Sequence, residues 1–130
     1  MMNFFRGNPI SFDVALLILR VGAGSLMLTH GWPKLMNFSS RMDSFSDPFN
    51  IGSPAALALA VFAEFFCSIL LIVGYYTRFA VIPLIILTAT IVFMIHWPDP
   101  FSKKELPIFY LVAYLAIFFA GPGKYSIDGK

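Results

Sequence analysis

Charged side chains are scarce in this sequence. Only 12% of its 130 residues are Asp, Glu, Lys or Arg, about half the share found in an ordinary soluble domain. Hydrophobic residues make up 58%, and a soluble chain of this length buries too little surface to hide so many apolar side chains. The composition therefore excludes a soluble globular protein and predicts an integral membrane protein that contacts the lipid bilayer. The length leaves room for a single domain, residues 1–130.

Cysteine is almost missing as well. The single cysteine, Cys67, cannot form an intramolecular disulfide, a CxxC redox pair or a cysteine metal site. The basic residues are scattered along the chain, and the net charge is only +2. That distribution provides no basic patch for a nucleic acid. Neither paired-thiol chemistry nor nucleic-acid binding is therefore expected.

Long hydrophobic runs, by contrast, are plentiful. Four of them cover residues 14–32, 54–74, 79–97 and 105–121. About 20 residues of α-helix cross a bilayer core, and the first three runs have that length. The fourth is short unless its helix begins near Ser102, where Ser102 and Glu105 match a capping box. The runs predict an all-α, integral membrane four-helix bundle, with both termini on one side (side A) and two connections on the other (side B).

Residues that start and stop helices agree with these runs. Ser53 is placed as an N-cap residue before Pro54, which suits the first helical position. Gly74 is expected to close the second helix, and Pro33 to bend or end the first. The connection at residues 37–52 is polar but carries three phenylalanines. It is therefore expected to be an amphipathic loop that lies on the mouth of the bundle.

Two charges interrupt the apolar runs. Arg20 lies in the first run and Glu64 at the middle of the second. Each charge costs about 2.5 to 3.5 kcal/mol at a helix centre, so each is expected to have a partner. In neighbouring antiparallel helices the two would lie within about 5 Å of the same depth, and a guanidinium can bind a carboxylate bidentately. The sequence predicts a buried Arg20–Glu64 pair, which either locks the helices in register or helps to bind a solute or a proton.

Small residues share a face with both charges. Gly24 and Gly31 project within about 40° of Arg20 at 100° per residue. The second helix carries a similar strip at helical spacing around its carboxylate, formed by Ala60, Cys67 and Ser68. Faces of small residues let two membrane helices approach closely, so the first and second helices are expected to pack there.

A second polar group is expected at side B. His30 and Lys34 share a helix face, and His96 and Glu105 are level with them at the ends of the third and fourth runs. Lining one opening, these four could bind an anion or a quinone carbonyl, or relay protons. The alternative is that they are interfacial residues whose side chains extend toward the headgroups. No metal site is expected, because the ligand spacings of HxxxH, ExxH and cysteine sites are missing.

The tail is expected to fold back at side A. Pro122 cannot continue a helix, and glycines at 121 and 123 permit a helix stop. Arg78 follows the second run on the same side, and Asp128 is the nearest candidate counter-charge in sequence. The sequence predicts an Arg78–Asp128 contact with Tyr125 at the interface, a clasp between the tail and the end of the second helix.

Several motifs in order resemble a known family. LRVG at residues 19–22 and THGWPKL at 29–35 resemble the first helix of DoxX-like membrane proteins, in which an arginine precedes an HGxxK motif. Glu64 together with LLIVGYYTR at 70–78 resembles the second helix of that family. GPGKYSID at 121–128 is similar to its tail. The resemblance covers essentially the whole chain.

The resemblance implies a four-helix bundle in a bacterial inner membrane. Some members look like membrane subunits of oxidoreductase systems, among them a thiosulfate:quinone oxidoreductase and a complex with superoxide dismutase and a sulfurtransferase. This chain has neither a CxxC pair, nor a haem-ligand histidine pair at bundle depth, nor a dinucleotide loop. It is therefore not expected to be an enzyme on its own, and a redox or stress-response role would need a bound quinone or a partner protein. A small transporter or permeation module, a ligand-free assembly factor and a homo-oligomer remain open.

Overall fold

The computed structural model describes residue 7 and residues 10–129, and every regular element within them is helical. The chain runs through α1 (Phe12–Met36), the short α2 (Phe38–Arg41), α3 (Ser53–Val73), α4 (Thr77–Ile95) and α5 (Phe101–Ala120). The middle of α3 and the end of α4 are π-helical, at Phe62–Cys67 and Ile91–Ile95. The four long helices pack side by side, so the predicted all-α membrane bundle is confirmed.

The long helices have the dimensions of membrane spans. α1, α3 and α4 contain 25, 21 and 19 residues and are apolar enough to cross a bilayer. α5 has 20 residues, which corresponds to about 30 Å, although Lys103, Lys104 and Glu105 lie near its start. The outward faces expose large apolar side chains to lipid, among them Ile18, Phe66, Phe79, Phe93 and Phe119.

The helix ends follow the sequence signals with small shifts. Gly74 adopts φ +73° and closes α3 as predicted. Ser53 is the first residue of α3 and not its cap, because Gly52, at φ +100°, takes the N-cap position. α1 does not end at Pro33 but continues to Met36. A membrane helix tolerates a proline, since neighbouring groups can satisfy the freed backbone carbonyl.

The start of α5 differs in a similar way. Pro100, which has no amide hydrogen to satisfy, takes the N-cap position, and the helix begins at Phe101. Ser102 and Glu105 therefore lie inside the helix, and the expected capping box does not form. The earlier start gives α5 the length that its apolar run alone lacks.

The connection between α1 and α3 covers one end of the bundle. We call this end B, and the end at which α1 begins end A. Phe38 and Phe45 are half-buried, and the Phe45 ring lies 5.8 Å from Nζ of Lys34. Asp47 holds the return of the loop by accepting hydrogen bonds from the amides of Ile51 and Gly52, at 3.0 and 2.7 Å. The segment has the expected form of an amphipathic loop on the bundle mouth.

α1 and α3 approach each other through two glycines. A Cβ on Gly31 would lie 2.7 Å from the backbone carbonyl carbon of Glu64. A Cβ on Gly24 would lie 2.6 Å from Cγ1 of Ile72 and 3.1 Å from the carbonyl oxygen of Ser68. The backbones can come this close only because both positions lack a side chain. The predicted packing of the small faces is confirmed, and the contact places Gly31 level with Glu64.

The hydrophobic core lies between the four long helices. It combines small side chains, which let the helices approach, with a few large ones that fill the remaining space. The fully buried members include Cys67, Leu71, Ala80, Val81, Leu84, Tyr114 and Ile117. The single cysteine is therefore a small core residue.

Residues 121–129, which we call the strap, fold back across end A. Gly121, at φ +87°, lets the chain leave α5 sharply. The amides of Ile127 and Asp128 then donate to the carbonyl oxygens of Val73 and Gly74, at 3.1 and 2.8 Å. The strap thus satisfies carbonyl groups at the end of α3 that have no partner within the helix. The tail turns back as predicted.

The predicted ion pair of this clasp is wrong. Nε of Arg78 donates to the carbonyl oxygen of Phe118 at 3.0 Å, so Arg78 binds the end of α5. Asp128 accepts instead from the amides of Tyr76 and Thr77, at 2.9 and 2.8 Å. Backbone groups at helix ends are preferred because they have no other partner and carry partial charges of the matching sign. The clasp exists, but its two charges bind two different helix ends.

The glycine contact generates a stability prediction with a control on the same helix. Gly31→Ala should lower the free energy of unfolding by about 1 to 3 kcal/mol, the usual cost of overpacking, because its Cβ meets the Glu64 backbone. A Cβ on Gly22 meets no described atom within 4 Å. Gly22→Ala should therefore be neutral or stabilise by up to about 1 kcal/mol. Thermal unfolding of both variants in detergent measures the difference, and equal stability would contradict the register.

Candidate functional site

Glu64 and Arg20 are both buried, at 2% and 0% exposure, but they do not bind each other. Nζ of Lys34 donates to both carboxylate oxygens of Glu64, at 2.7 and 2.8 Å. Nη1 of Arg20 donates to the carbonyl oxygens of Leu71 and Ile72, each at 3.1 Å. The predicted Arg20–Glu64 pair is therefore wrong, although each charge has a partner as expected.

The register of α1 on α3 explains the exchange of partners. Gly31 is level with Glu64, and Arg20 precedes Gly31 by eleven residues, which is about 16 Å along a helix. A guanidinium cannot bridge that distance. Lys34 follows Gly31 by about one turn, and its long, flexible stem reaches back to the carboxylate. Lys34 consequently takes the position that the sequence argument gave to Arg20.

Arg20 fastens end A of the bundle. Leu71 and Ile72 belong to the last turn of α3, where the carbonyl oxygens lack the amide partner that a longer helix would supply four residues on. This end of a helix attracts positive charge. Nη2 of Arg20 also donates to the carbonyl oxygen of Tyr125 in the strap, and the Tyr125 side chain is half exposed at the rim. The arginine therefore joins α1, α3 and the strap, which is a structural role.

A half-open cavity of about 110 Å³ lies beside the Lys34–Glu64 pair. Residues from all four long helices line it. They are Met27, His30, Lys34, Glu64, Leu87, Thr88, Ile91, Leu106, Pro107 and Tyr110. An ion pair at the wall of a cavity that combines apolar and polar side chains within a membrane bundle is the arrangement expected of a functional site.

The hydroxyl-bearing residues of the cavity differ in their availability. Thr88 donates to the carbonyl oxygens of Leu84 and Ile85, at 2.9 and 3.2 Å. Its hydroxyl is therefore already engaged. Tyr110 packs its ring edge-to-face against His30, with centroids 6.0 Å apart. The Tyr110 hydroxyl and the His30 ring nitrogens are the polar groups that remain for a ligand.

The four residues predicted to share an opening at side B lie in different places in the structure. His30 and Lys34 line the cavity. His96 binds Asp99 instead, with Nδ1 2.8 Å from Oδ2, because α4 ends at Ile95 and His96 begins the turn to α5. Glu105 borders a separate surface hollow with Ser102, Leu106 and Phe109. The prediction of a single opening lined by all four residues is therefore wrong. Only the two residues on α1, His30 and Lys34, belong to the site.

Some contacts around the site were within reach of the sequence. The i, i+4 spacing of Tyr110 and Tyr114 indicates aromatic rings stacked along one face, and their centroids lie 5.9 Å apart. The i, i+3 spacing of His96 and Asp99 signals their pairing. Phe45 over Lys34 carried no such signal, because the path of a loop does not follow from periodicity.

The dimensions of the cavity restrict its occupant. A cavity of roughly 150 Å³ holds one benzene ring, and the volume here is about 110 Å³. Several waters or a small polar molecule do fit. Within the described part of the chain, no three His, Cys, Asp or Glu side chains are grouped to hold a metal ion. The site therefore suits a small polar occupant.

Comparisons with known proteins agree with the resemblance drawn from the motifs. The model of the DoxX family matches residues 15–97, the segment that contains His30, Lys34 and Glu64. An uncharacterized protein of Haemophilus influenzae is 32% identical over 136 aligned positions, which cover 98% of this chain and 89% of that protein. No solved structure matches the chain.

The buried ion pair generates a test by double mutation. Lys34→Met should lower the free energy of unfolding by about 3 to 5 kcal/mol, because it leaves the Glu64 carboxylate buried and unpaired. Combining it with Glu64→Leu removes that charge and should cost less than the single change. Lys103→Met, on the exposed start of α5, should stay within about 0.5 kcal/mol of the parent. If the double variant is as unstable in detergent as the single one, the pairing is contradicted.

Proposed function

The chain belongs to the DoxX family, and from that premise we propose that it is a membrane-embedded binding subunit for a small polar molecule. It would serve a redox or stress-response system of the bacterial inner membrane together with a partner protein. The observation that carries the proposal is the cavity that all four long helices line, with the Lys34–Glu64 pair at its wall. All four long helices contribute to its wall. An ion pair whose role was only to join α1 to α3 would not require a cavity beside it.

The chemistry of the cavity favours a neutral ligand with a hydrogen-bond acceptor. Lys34 has three N–H donors, of which Glu64 engages two. The third can serve a carbonyl or similar oxygen, and 23% of the Lys34 side chain is exposed. The ion pair is neutral as a unit, so a neutral guest enters without leaving an uncompensated charge inside the membrane. Tyr110 and His30 add hydrogen-bonding groups across the cavity.

A partner protein is part of the proposal because the chain offers little redox chemistry of its own. Its single thiol, Cys67, is fully buried. Electron transfer would therefore take place on another protein, and this subunit would hold or deliver the small molecule. The redox setting comes from the family resemblance, whereas the binding role rests on the cavity.

A permeation module is the second candidate, and one observation favours it. The hydroxyls of Ser68 and Tyr114 are buried without a hydrogen-bond partner among the described residues. Ser68 lies one turn beyond Glu64, and Tyr114 one turn beyond Tyr110, both toward end A. These polar groups extend the chemistry of the cavity along the bundle axis. A ligand-free assembly factor would explain neither set of groups.

Native mass spectrometry of the detergent-purified protein tests the binding role. The parent should retain a small molecule of defined mass, and Glu64→Gln should lose most of it, because the amide no longer holds Lys34 as a charged partner. Glu105→Gln changes the same functional group at the separate surface hollow and should retain the ligand. Equal retention by both variants, or no bound molecule in the parent, contradicts the proposal.

The same preparations distinguish a permeation module from a binding subunit. Reconstituted into liposomes, a permeation module should conduct protons or small solutes, measured with a pH-sensitive dye or by solute-driven swelling. A binding subunit should retain its ligand without such flux. A protein that does neither is left with the assembly role.

A further inference from the structure

Two of the ten residues that line the cavity beside Glu64 are exposed on the outside of the bundle, and the others are buried or half-buried. The exposed ones are His30 on α1 and Leu106 on α5, and Leu106 is 52% exposed. The His30 ring packs edge-to-face against Tyr110, which lies one turn after Leu106 on α5. The two exposed residues therefore stand on neighbouring helices and mark the opening of the cavity, between α1 and α5.

This opening lies on the flank of the bundle. His30 precedes Met36, the last residue of α1, by six residues, and Leu106 follows Phe101, the first residue of α5, by five. At 1.5 Å per residue, both lie about 7 to 9 Å inside the helix ends, at a depth where exposed side chains face the bilayer. Ionisable side chains at such a depth are rare and mark substrate pathways. His30 thus indicates a route between the membrane and the cavity.

The loop at residues 37–52 covers the other approach, from end B. Its Phe45 ring lies 5.8 Å from Nζ of Lys34. Every residue of the cavity wall belongs to a long helix, and none belongs to the loop. The loop therefore lies over the Lys34–Glu64 pair as a cover, whereas the wall itself is exposed at the flank.

Leu106 separates the cavity from the outside of the bundle. Its side chain borders the cavity and also the surface hollow at Glu105. The next residue, Pro107, has no amide hydrogen, so the carbonyl of Lys103 loses its helical donor and this turn of α5 is held by one backbone hydrogen bond fewer. An exposed side chain of this kind exchanges rotamers on a fast timescale. Leu106 can therefore turn away from the opening while the helix stays in place.

We propose that Leu106 is the gate of the cavity and that the ligand enters from the membrane flank, between α1 and α5. The inference rests on the binding role proposed above and narrows the ligand to a neutral polar molecule that reaches the bilayer interface. The ligand passes between Leu106 and His30, and the imidazole offers it a hydrogen bond on the way to Lys34. A charged molecule would have to leave its hydration shell at an apolar gate inside the membrane, so ions are excluded.

Labelling of a thiol inside the cavity tests this route. Thr88→Cys places a thiol of similar size on the part of the cavity wall that α4 supplies. The probe is methyl methanethiosulfonate, a small neutral reagent that converts the thiol to a mixed disulfide. The parent is the blank, because its own thiol, Cys67, is fully buried and is not part of the wall. Intact-mass spectrometry measures the rate on protein in lipid nanodiscs.

The gate variants are compared in the Thr88→Cys background. Leu106→Ala should be labelled at least about threefold faster and Leu106→Trp at least about tenfold more slowly, where tenfold corresponds to about 1.4 kcal/mol of barrier. Leu115 is a second exposed leucine on α5 and lies outside the cavity wall. Leu115→Ala and Leu115→Trp should therefore leave the rate unchanged.

A variant of the loop distinguishes the two approaches. Phe45→Ala loosens the cover at end B and should raise the rate less than Leu106→Ala does. A larger response to Phe45→Ala would place the entrance under the loop and overturn the proposal. Equal rates in the Leu106 variants, or no labelling even with Leu106→Ala, would overturn it as well. The reagent reports the route whether or not a native ligand is retained, so these outcomes are independent of the mass spectrometry that tests the binding role.

Discussion

The close approach of α1 and α3 at Gly24 and Gly31 is the constraint on which the rest of the structure depends. It permits one register in which the two backbones touch. In that register Lys34 reaches Glu64, and Arg20 reaches the end of α3. A shift by one turn, about 5.4 Å, would separate both pairs and leave charges unpaired within the membrane. The close packing at these two glycines therefore decides which partners the charged side chains reach.

The two buried charges are satisfied in different ways, and this gives the two ends of the bundle different roles. Arg20 donates to backbone carbonyl oxygens at a helix end. These groups do not titrate, so the contacts form a fixed junction. Glu64 binds a lysine that is partly exposed and faces a cavity. That pair can exchange a hydrogen bond with a guest. Fixed contacts at end A and exchangeable contacts near end B are consistent with the binding role proposed above.

The helices were predictable from sequence because hydropathy, proline and glycine act locally. Gly74 and the small faces of α1 and α3 belong to this class. The depth of a charge was not predictable in the same way, because it was inferred by aligning the centres of two apolar runs. α1 begins at Phe12 and extends beyond the end of α3, so the centre of its run is not level with the centre of the other. Gly31 held the missing information, since a glycine on the Arg20 face, one turn before Lys34, marks where the backbones meet.

Solid-state NMR on the protein in lipid bilayers tests the central claim, the register that pairs Lys34 with Glu64. Glu64 and Glu105 are the glutamates of the sequence, so Glu105→Gln leaves a single glutamate to label at Cδ with ¹³C. Dipolar dephasing by ¹⁵N-labelled lysine should then place Nζ of Lys34 within about 4 Å of that carbon, the range of an ion pair. Labelled arginine should cause no dephasing. Dephasing by arginine and none by lysine would restore the Arg20–Glu64 pair and contradict the register.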